Sequence, residues 1–78
     1  MEDELTPERI AKHYSACLDS VWVIETSIPK LNSNPDAREQ IEQNVHHLEL
    51  MKRKEFWTTE DMSPLDDAIA AGKAALAG

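Results

Sequence analysis

Three of the four prolines in this chain directly follow a residue of the kind that caps the start of an α-helix. The pairs are Thr6–Pro7, Asn34–Pro35 and Ser63–Pro64. Proline is favoured at the first helical position, because its missing N–H would have no partner there and its φ angle already suits a helix. The two glycines lie near the C-terminus and runs of β-branched or aromatic residues are few, which disfavours strands. The pattern predicts an all-α protein with helices at about residues 7–28, 35–55 and 64–77.

The first predicted helix carries an unusually wide apolar surface. Its main row has the heptad spacing of helices that pack along a seam, and consists of Ile10, Tyr14, Cys17, Val21, Ile24, Ile28 and Leu31. A second row of Ala11, Leu18 and Trp22 widens the surface to roughly half the circumference. One neighbouring helix cannot cover so wide a surface. Either the second and third helices flank it from both sides, or a second copy of the chain does.

Proline also indicates where the first helix ends. Pro29 cannot donate a backbone hydrogen bond and disfavours helical geometry at the preceding residue, so the helix should end at about Ile28. A kinked continuation to Leu31 is the alternative. The segment that follows, residues 32–36, has the composition of a turn and predicts a helical hairpin.

The second and third helices each have one apolar face. That of the second helix consists of Ala37, Ile41, Val45, Leu48 and Met51, and that of the third of Leu65, Ala68, Ile69, Gly72, Ala75 and Leu76. The small residues of the third helix permit close packing but bury little area. Leu50 points away from the face of the second helix, so we predict that Leu50 is exposed and available for an intermolecular contact.

Length and composition favour association with a second copy. The 78 residues form one helical domain, whose acidic first five residues are predicted to be disordered. A core of this size seldom supplies more than a few kcal/mol, and a single cysteine cannot form an internal disulfide. We therefore predict a homodimeric helical bundle. Its packing surface, shared between the hairpin core and the dimer contact, is Ile10, Tyr14, Cys17, Leu18, Val21, Trp22, Ile24 and Leu50.

The charge of the chain has two interpretations. With 15 acidic and 8 basic residues the formal charge is −7, which disfavours nucleic acid and anionic membranes as partners. Glu60, Asp61, Asp66 and Asp67 form an acidic face near the third helix. These carboxylates either complement the helix dipole, or dock on a basic host protein in the manner of an inhibitor that mimics nucleic acid.

The sequence predicts no enzymatic activity, metal site or cofactor. Glu42, His46 and Glu49 share one face of the second helix, but helical di-iron sites need further ligands on other helices. His46 and His47 point about 100° apart and cannot chelate one ion together. Cys17 lies in the apolar seam, which disfavours a reactive thiolate. The single cysteine and the lack of an apolar leader or membrane span predict a cytoplasmic protein.

Residues 44–73 carry a pattern that resembles a group of known proteins. The stretch NVHHLELMKRKEFWTTEDMSPLDDAIAAGK contains Asn-x-x-His-Leu-x-x-Met, then Lys-x-Phe-Trp-Thr, and then Ala-Ile-x-x-Gly-Lys. It resembles small uncharacterised helical proteins that bacteriophages encode. The resemblance implies a phage origin and a location in the host cytoplasm, and it implies no activity or catalytic residue.

Overall fold

The computed structural model describes residues 6–57 and 60–78, and every regular element within them is helical. Helix α1 is Pro7–Ser27, α2 is Ala37–Lys52 and α3 is Ser63–Ala77. A short 3₁₀ turn, Ile28–Lys30, follows α1 directly. The predicted all-α hairpin with a shorter third helix is confirmed over these residues. The acidic N-terminus that we predicted to be disordered lies outside them.

Both ends of α1 follow from the capping residue and proline. The Thr6 Oγ1 accepts a hydrogen bond from the backbone N–H of Arg9 at 3.2 Å, and Pro7 occupies the first helical position. Regular geometry ends at Ser27, and the 3₁₀ turn that contains Pro29 continues the chain in a tighter coil. The helix thus ends within one residue of the predicted Ile28, and a separate 3₁₀ turn carries the chain to Lys30.

The predicted cap of α2 is wrong by two residues and that of α3 by one. The Asn34 Oδ1 accepts a hydrogen bond from the N–H of Asp36 at 2.9 Å, so Asn34 shapes the turn before α2 instead of capping it. At α3 the cap is Met62, Ser63 is already helical, and the Asp61 Oδ1 accepts the N–H of Ser63 at 2.9 Å. Both differences have one cause: a short Asn or Asp side chain readily bonds the backbone two residues ahead.

Helix α2 ends at Lys52, three residues earlier than predicted. The N–H groups of Arg53 and Lys54 bond carbonyls only three residues back, which tightens the last turn. The Trp57 indole N–H donates to the carbonyl of Met51 at 2.7 Å. Trp57 thus adds a second hydrogen bond to a carbonyl that Lys54 already bonds, and it fastens the segment after α2 to the end of the helix.

One core is shared by all three helices. Its fully buried side chains are Cys17 and Ile24 from α1, Ile41 and Leu48 from α2, and Leu65 from α3. Val21, Val45 and Ala68 complete it at 8% exposure or less. Helices α2 and α3 therefore cover the main row of α1 within one chain. The second row is not covered, because Leu18 and Trp22 remain exposed.

Helix α3 reaches this core because Gly72 has no side chain. A Cβ atom at Gly72 would lie 2.6 Å from the Val45 Cγ2, 3.2 Å from the Ile41 Cγ2 and 3.4 Å from the Ile24 Cγ2. A Cβ atom and a methyl group that are not bonded to each other do not approach to 2.6 Å. Any side chain at Gly72 would therefore push α3 away from α2. The close helix contact predicted for the small face of α3 is confirmed.

Replacing Gly72 with Ala should lower the free energy of unfolding by about 1–2 kcal/mol, although Ala favours the helix by about 1 kcal/mol. The cost arises because Val45 is held in one rotamer on its helix and cannot turn its methyl group aside easily. Urea unfolding followed by circular dichroism measures it.

The control is the same substitution in a Val45→Ala background, where the conflicting methyl group is absent. There Gly72→Ala should be neutral or stabilising, because the new methyl fills the space that Val45 leaves. An equal loss in both backgrounds would contradict the close contact.

Candidate interaction surfaces

The most exposed large apolar side chain belongs to α1. Trp22 is 66% exposed, and Leu18, one turn earlier, is 39% exposed. Trp22 lies two residues before the buried Ile24, and hence about 160° around the helix from it. The inward side of α1 is used by the core, and this outward side presents an indole and an isobutyl group to water.

Carboxylates flank this apolar pair. Asp19 precedes Trp22 by three residues and Glu25 follows it by three, so both are its neighbours on the helix, and both are exposed. The nearest basic residues in the sequence are Lys12 and Lys30, ten residues before and eight residues after Trp22. We call Leu18, Trp22, Asp19 and Glu25 the Trp22 surface. It combines apolar area with negative charge.

A second exposed apolar side chain lies on α2. Leu50 is 43% exposed, as predicted, and points away from the core. His46 and His47 are its helical neighbours one turn earlier, the cations Arg53 and Lys54 lie in the tight turn that follows the last helical residue, Lys52, and all four are exposed. We call these five residues the Leu50 surface. Its charge is opposite to that of the Trp22 surface.

Sequence reasoning missed the positive charge around Leu50. The signal was the run Lys52, Arg53 and Lys54, which we had assigned only to the negative end of the α2 dipole. Basic residues at the C-terminal end of a helix interact favourably with the helix dipole, and they also form part of the protein surface. Its contribution to a surface depends on which residues face outward beside it, and the folded chain shows that Leu50 does.

An open groove of about 480 Å³ lies between α2 and α3, beside the Leu50 surface. Its walls are Glu49, Lys52, Arg53, Asp66, Ile69 and Lys73. Two ion pairs join these walls: Lys52 binds Asp66, and the Lys73 Nζ lies 2.5 Å from the Glu49 Oε2. Four of its charges are therefore paired within the chain. These ion pairs hold α2 against α3, and they leave few charges in the groove for binding a charged ligand.

The predicted packing surface divides between core and exterior. Cys17, Val21 and Ile24 are buried, and Ile10 and Tyr14 are partly buried. The remaining three residues of that prediction are exposed: Leu18, Trp22 and Leu50. Five of the eight residues are therefore buried or partly buried within the single chain. The contact with a second copy stays a prediction, and it can use only the exposed three.

The buried residues of α1 have structural roles. Burial raises the pKa of the Cys17 thiol, which keeps it in the neutral, unreactive form. The Tyr14 hydroxyl donates to the carbonyl of Asp61 at 2.7 Å, and its ring meets the edge of Trp57. These contacts fasten the segment between α2 and α3 onto α1. No local pattern reveals them, because Tyr14 and Asp61 are 47 residues apart.

Two members of the predicted acidic face have partners within the fold. The carboxylate of Asp61 accepts the N–H of Ser63, and Asp66 binds Lys52. Asp67 is exposed, and Glu60 is half-buried. At least two of the four carboxylates thus have partners near the start of α3. This favours the interpretation that the acidic residues support the helix over the one in which they bind a basic protein.

The described residues contain neither a candidate metal site nor a helix that could span a membrane. Within residues 6–57 and 60–78, no three His, Cys, Asp or Glu side chains are grouped so that they could hold a metal ion. None of the helices described there is long and apolar enough to cross a membrane. No protein-family model, curated protein or solved structure matches the chain.

Acid should destabilise the fold as the pH falls below about 4. Hydrogen bonds from Ser63 hold the pKa of Asp61 below its ordinary value, and the hydrogen bond from Lys73 does the same for Glu49. Because the pKa of each carboxyl group is lower in the folded chain than in the unfolded chain, its ionised form stabilises the fold at pH values above the unfolded pKa. That contribution is lost as the pH falls through the lower folded value.

Asp61→Asn tests this for one group, since the amide oxygen still accepts the Ser63 N–H but does not titrate. The urea midpoint should drop less between pH 7 and pH 3 in this variant than in the original protein. Equal drops would show that Asp61 carries none of the acid sensitivity.

Proposed function

We propose that this chain is a non-enzymatic interaction protein that associates with copies of itself through the Trp22 surface. The observation that supports the proposal is the 66% exposure of Trp22 next to Leu18, on a helix whose inner face is already buried. Tryptophan is enriched among the residues that dominate protein interfaces, because one side chain supplies a large, rigid contact area. Here its outward position adds nothing to the core.

The contact we propose is weak. Burying a large apolar side chain contributes about 1.5–3 kcal/mol, while association costs at least about 4 kcal/mol in lost freedom of motion. Two or three such side chains per contact exceed that cost only narrowly. Three side chains at the upper value leave about 5 kcal/mol, so we expect a dissociation constant of roughly 0.2 mM or weaker, and a protein that is monomeric when dilute and associated when concentrated.

An acidic inhibitor of a basic host protein is the alternative function. It has less support, because Asp61 and Asp66 already have partners in the fold. The resemblance to phage-encoded proteins stays a prediction and suits either function. Loss of association on changing Trp22, with the acidic face intact, would favour self-association.

Trp22→Glu should abolish association and leave the free energy of unfolding within about 0.5 kcal/mol of the original, because position 22 is mostly exposed. Sedimentation velocity between 10 and about 500 μM measures the first quantity, and urea unfolding at low concentration the second. A protein that remains strictly monomeric over this range, before any substitution, would overturn the proposal.

Ala16→Glu is the matched control. Ala16 is also exposed on α1 but lies about 120° around the helix from Trp22, so it adds the same charge outside the proposed contact. It should associate as the original does. If both variants lose association equally, added negative charge is the cause, and the Trp22 surface has no special role.

A further inference from the structure

We infer that the Trp22 surface of one copy binds the Leu50 surface of the next, so that the contact joins two different faces of the molecule. The inference rests on the self-association proposed above and adds what the second copy contributes. Leu18, Trp22 and Leu50 are the large apolar side chains that stay exposed in the described residues. A contact between the two surfaces would shield all three.

Charge is the first argument. Two Trp22 surfaces facing each other would bring Asp19 and Glu25 of one copy towards the same carboxylates of the other, and like charges repel. Against the Leu50 surface, the same carboxylates meet Arg53 and Lys54. Opposite charge around an apolar centre guides two surfaces together and excludes wrong pairings.

The acids nearest to Leu50 do not cancel this complementarity. Glu49 is engaged with Lys73 across the groove, at 2.5 Å. Glu55 directly follows Lys54 in the chain, beyond the end of α2. Arg53 and Lys54 come before Glu55 in the turn that follows α2, so they lie nearer to Leu50 in the chain than that carboxylate does.

Shape is the second argument. Leu18 and Trp22 are four residues apart, so their side chains are neighbours on the exposed side of α1. Leu50 is a single side chain that projects from α2. A lone leucine can insert between side chains of a facing helix in the way that a knob enters a hole between helices.

The geometry of the assembly follows. When the Trp22 surface of one copy binds the Leu50 surface of another, the first copy still has a free Leu50 surface and the second a free Trp22 surface. Further copies can add to both ends, so growth continues into a ring or an open chain and does not stop at a dimer. This differs from the symmetric dimer that the sequence predicts.

The test uses two variants that each disable one surface, Trp22→Glu and Leu50→Glu. Each alone should sediment as a monomer at about 500 μM, where the original protein forms species beyond the dimer. Mixed in equal amounts, they should form a one-to-one pair, because the intact Leu50 surface of the first binds the intact Trp22 surface of the second. The two substituted surfaces both carry added glutamate and repel each other.

The mixture separates the two proposals. If Leu50→Glu alone associates as strongly as the original, or if the mixture stays monomeric, the contact between different faces is wrong, while self-association through Trp22 survives. If the original protein never associates, the proposed function itself fails. Gln40→Glu, an exposed change on α2 ten residues before Leu50, is the control and should behave as the original does.

Salt provides an independent readout. A contact between opposite charges should weaken by about threefold or more when NaCl is raised from about 0.05 to 0.5 M, because screening shortens the range of the attraction. Two acidic surfaces would instead associate more tightly as salt screens their repulsion. Association of the original protein that strengthens with salt would overturn the inference.

Discussion

The arrangement of this chain depends on the close contact between α3 and the hairpin at Gly72. The absent side chain lets the backbone of α3 come against Val45, Ile41 and Ile24. Leu65 and Ala68 can then enter the space between α1 and α2 and close the core from the third side. A small chain without a disulfide depends on this kind of close packing, because it has few residues with which to exclude water.

Because one chain closes its own core, the residues available for contacts with other molecules are those outside that core. With α2 and α3 packed on the main row of α1, the chain needs no second copy to cover that row. The second row then has no structural role, and Trp22 and Leu18 stay in water. Our sequence interpretation expected the missing stability to come from another copy of α1. We propose instead a weak contact between folded subunits, made by residues outside the core.

Local patterns predicted much of the fold. Helical periodicity identified the inward residues of all three helices, and the step of α2 that places Leu50 outward was also visible. The cap at Thr6 could be predicted because a cap acts within one turn. The turn at residues 32–36 was predicted, but Asn34 and Ser63 were wrongly assigned as caps, because short polar side chains serve either a cap or a turn and the choice depends on the surrounding chain.

The opposed charges of the two exposed surfaces could not be predicted from local patterns. Asp19 and Glu25 lie around Trp22, while Arg53 and Lys54 lie beside Leu50, about 30 residues later in the chain. Their relation appears only when the core shows which apolar residues remain outside it. The Tyr14 hydrogen bond to Asp61 was hidden for the same reason, since it joins distant parts of the chain.

Whether one chain encloses its own core is tested most directly by the reactivity of the Cys17 thiol, which is fully buried and is the only thiol in the sequence. The measurement is the rate of modification by a disulfide reagent at protein concentrations from about 1 to 500 μM, compared with the rate in urea. We expect modification about a hundredfold or more slower than in urea at every concentration, because opening requires unfolding of the single chain. Reaction at the unfolded rate in dilute protein, with protection appearing only as the concentration rises, would contradict a self-contained core.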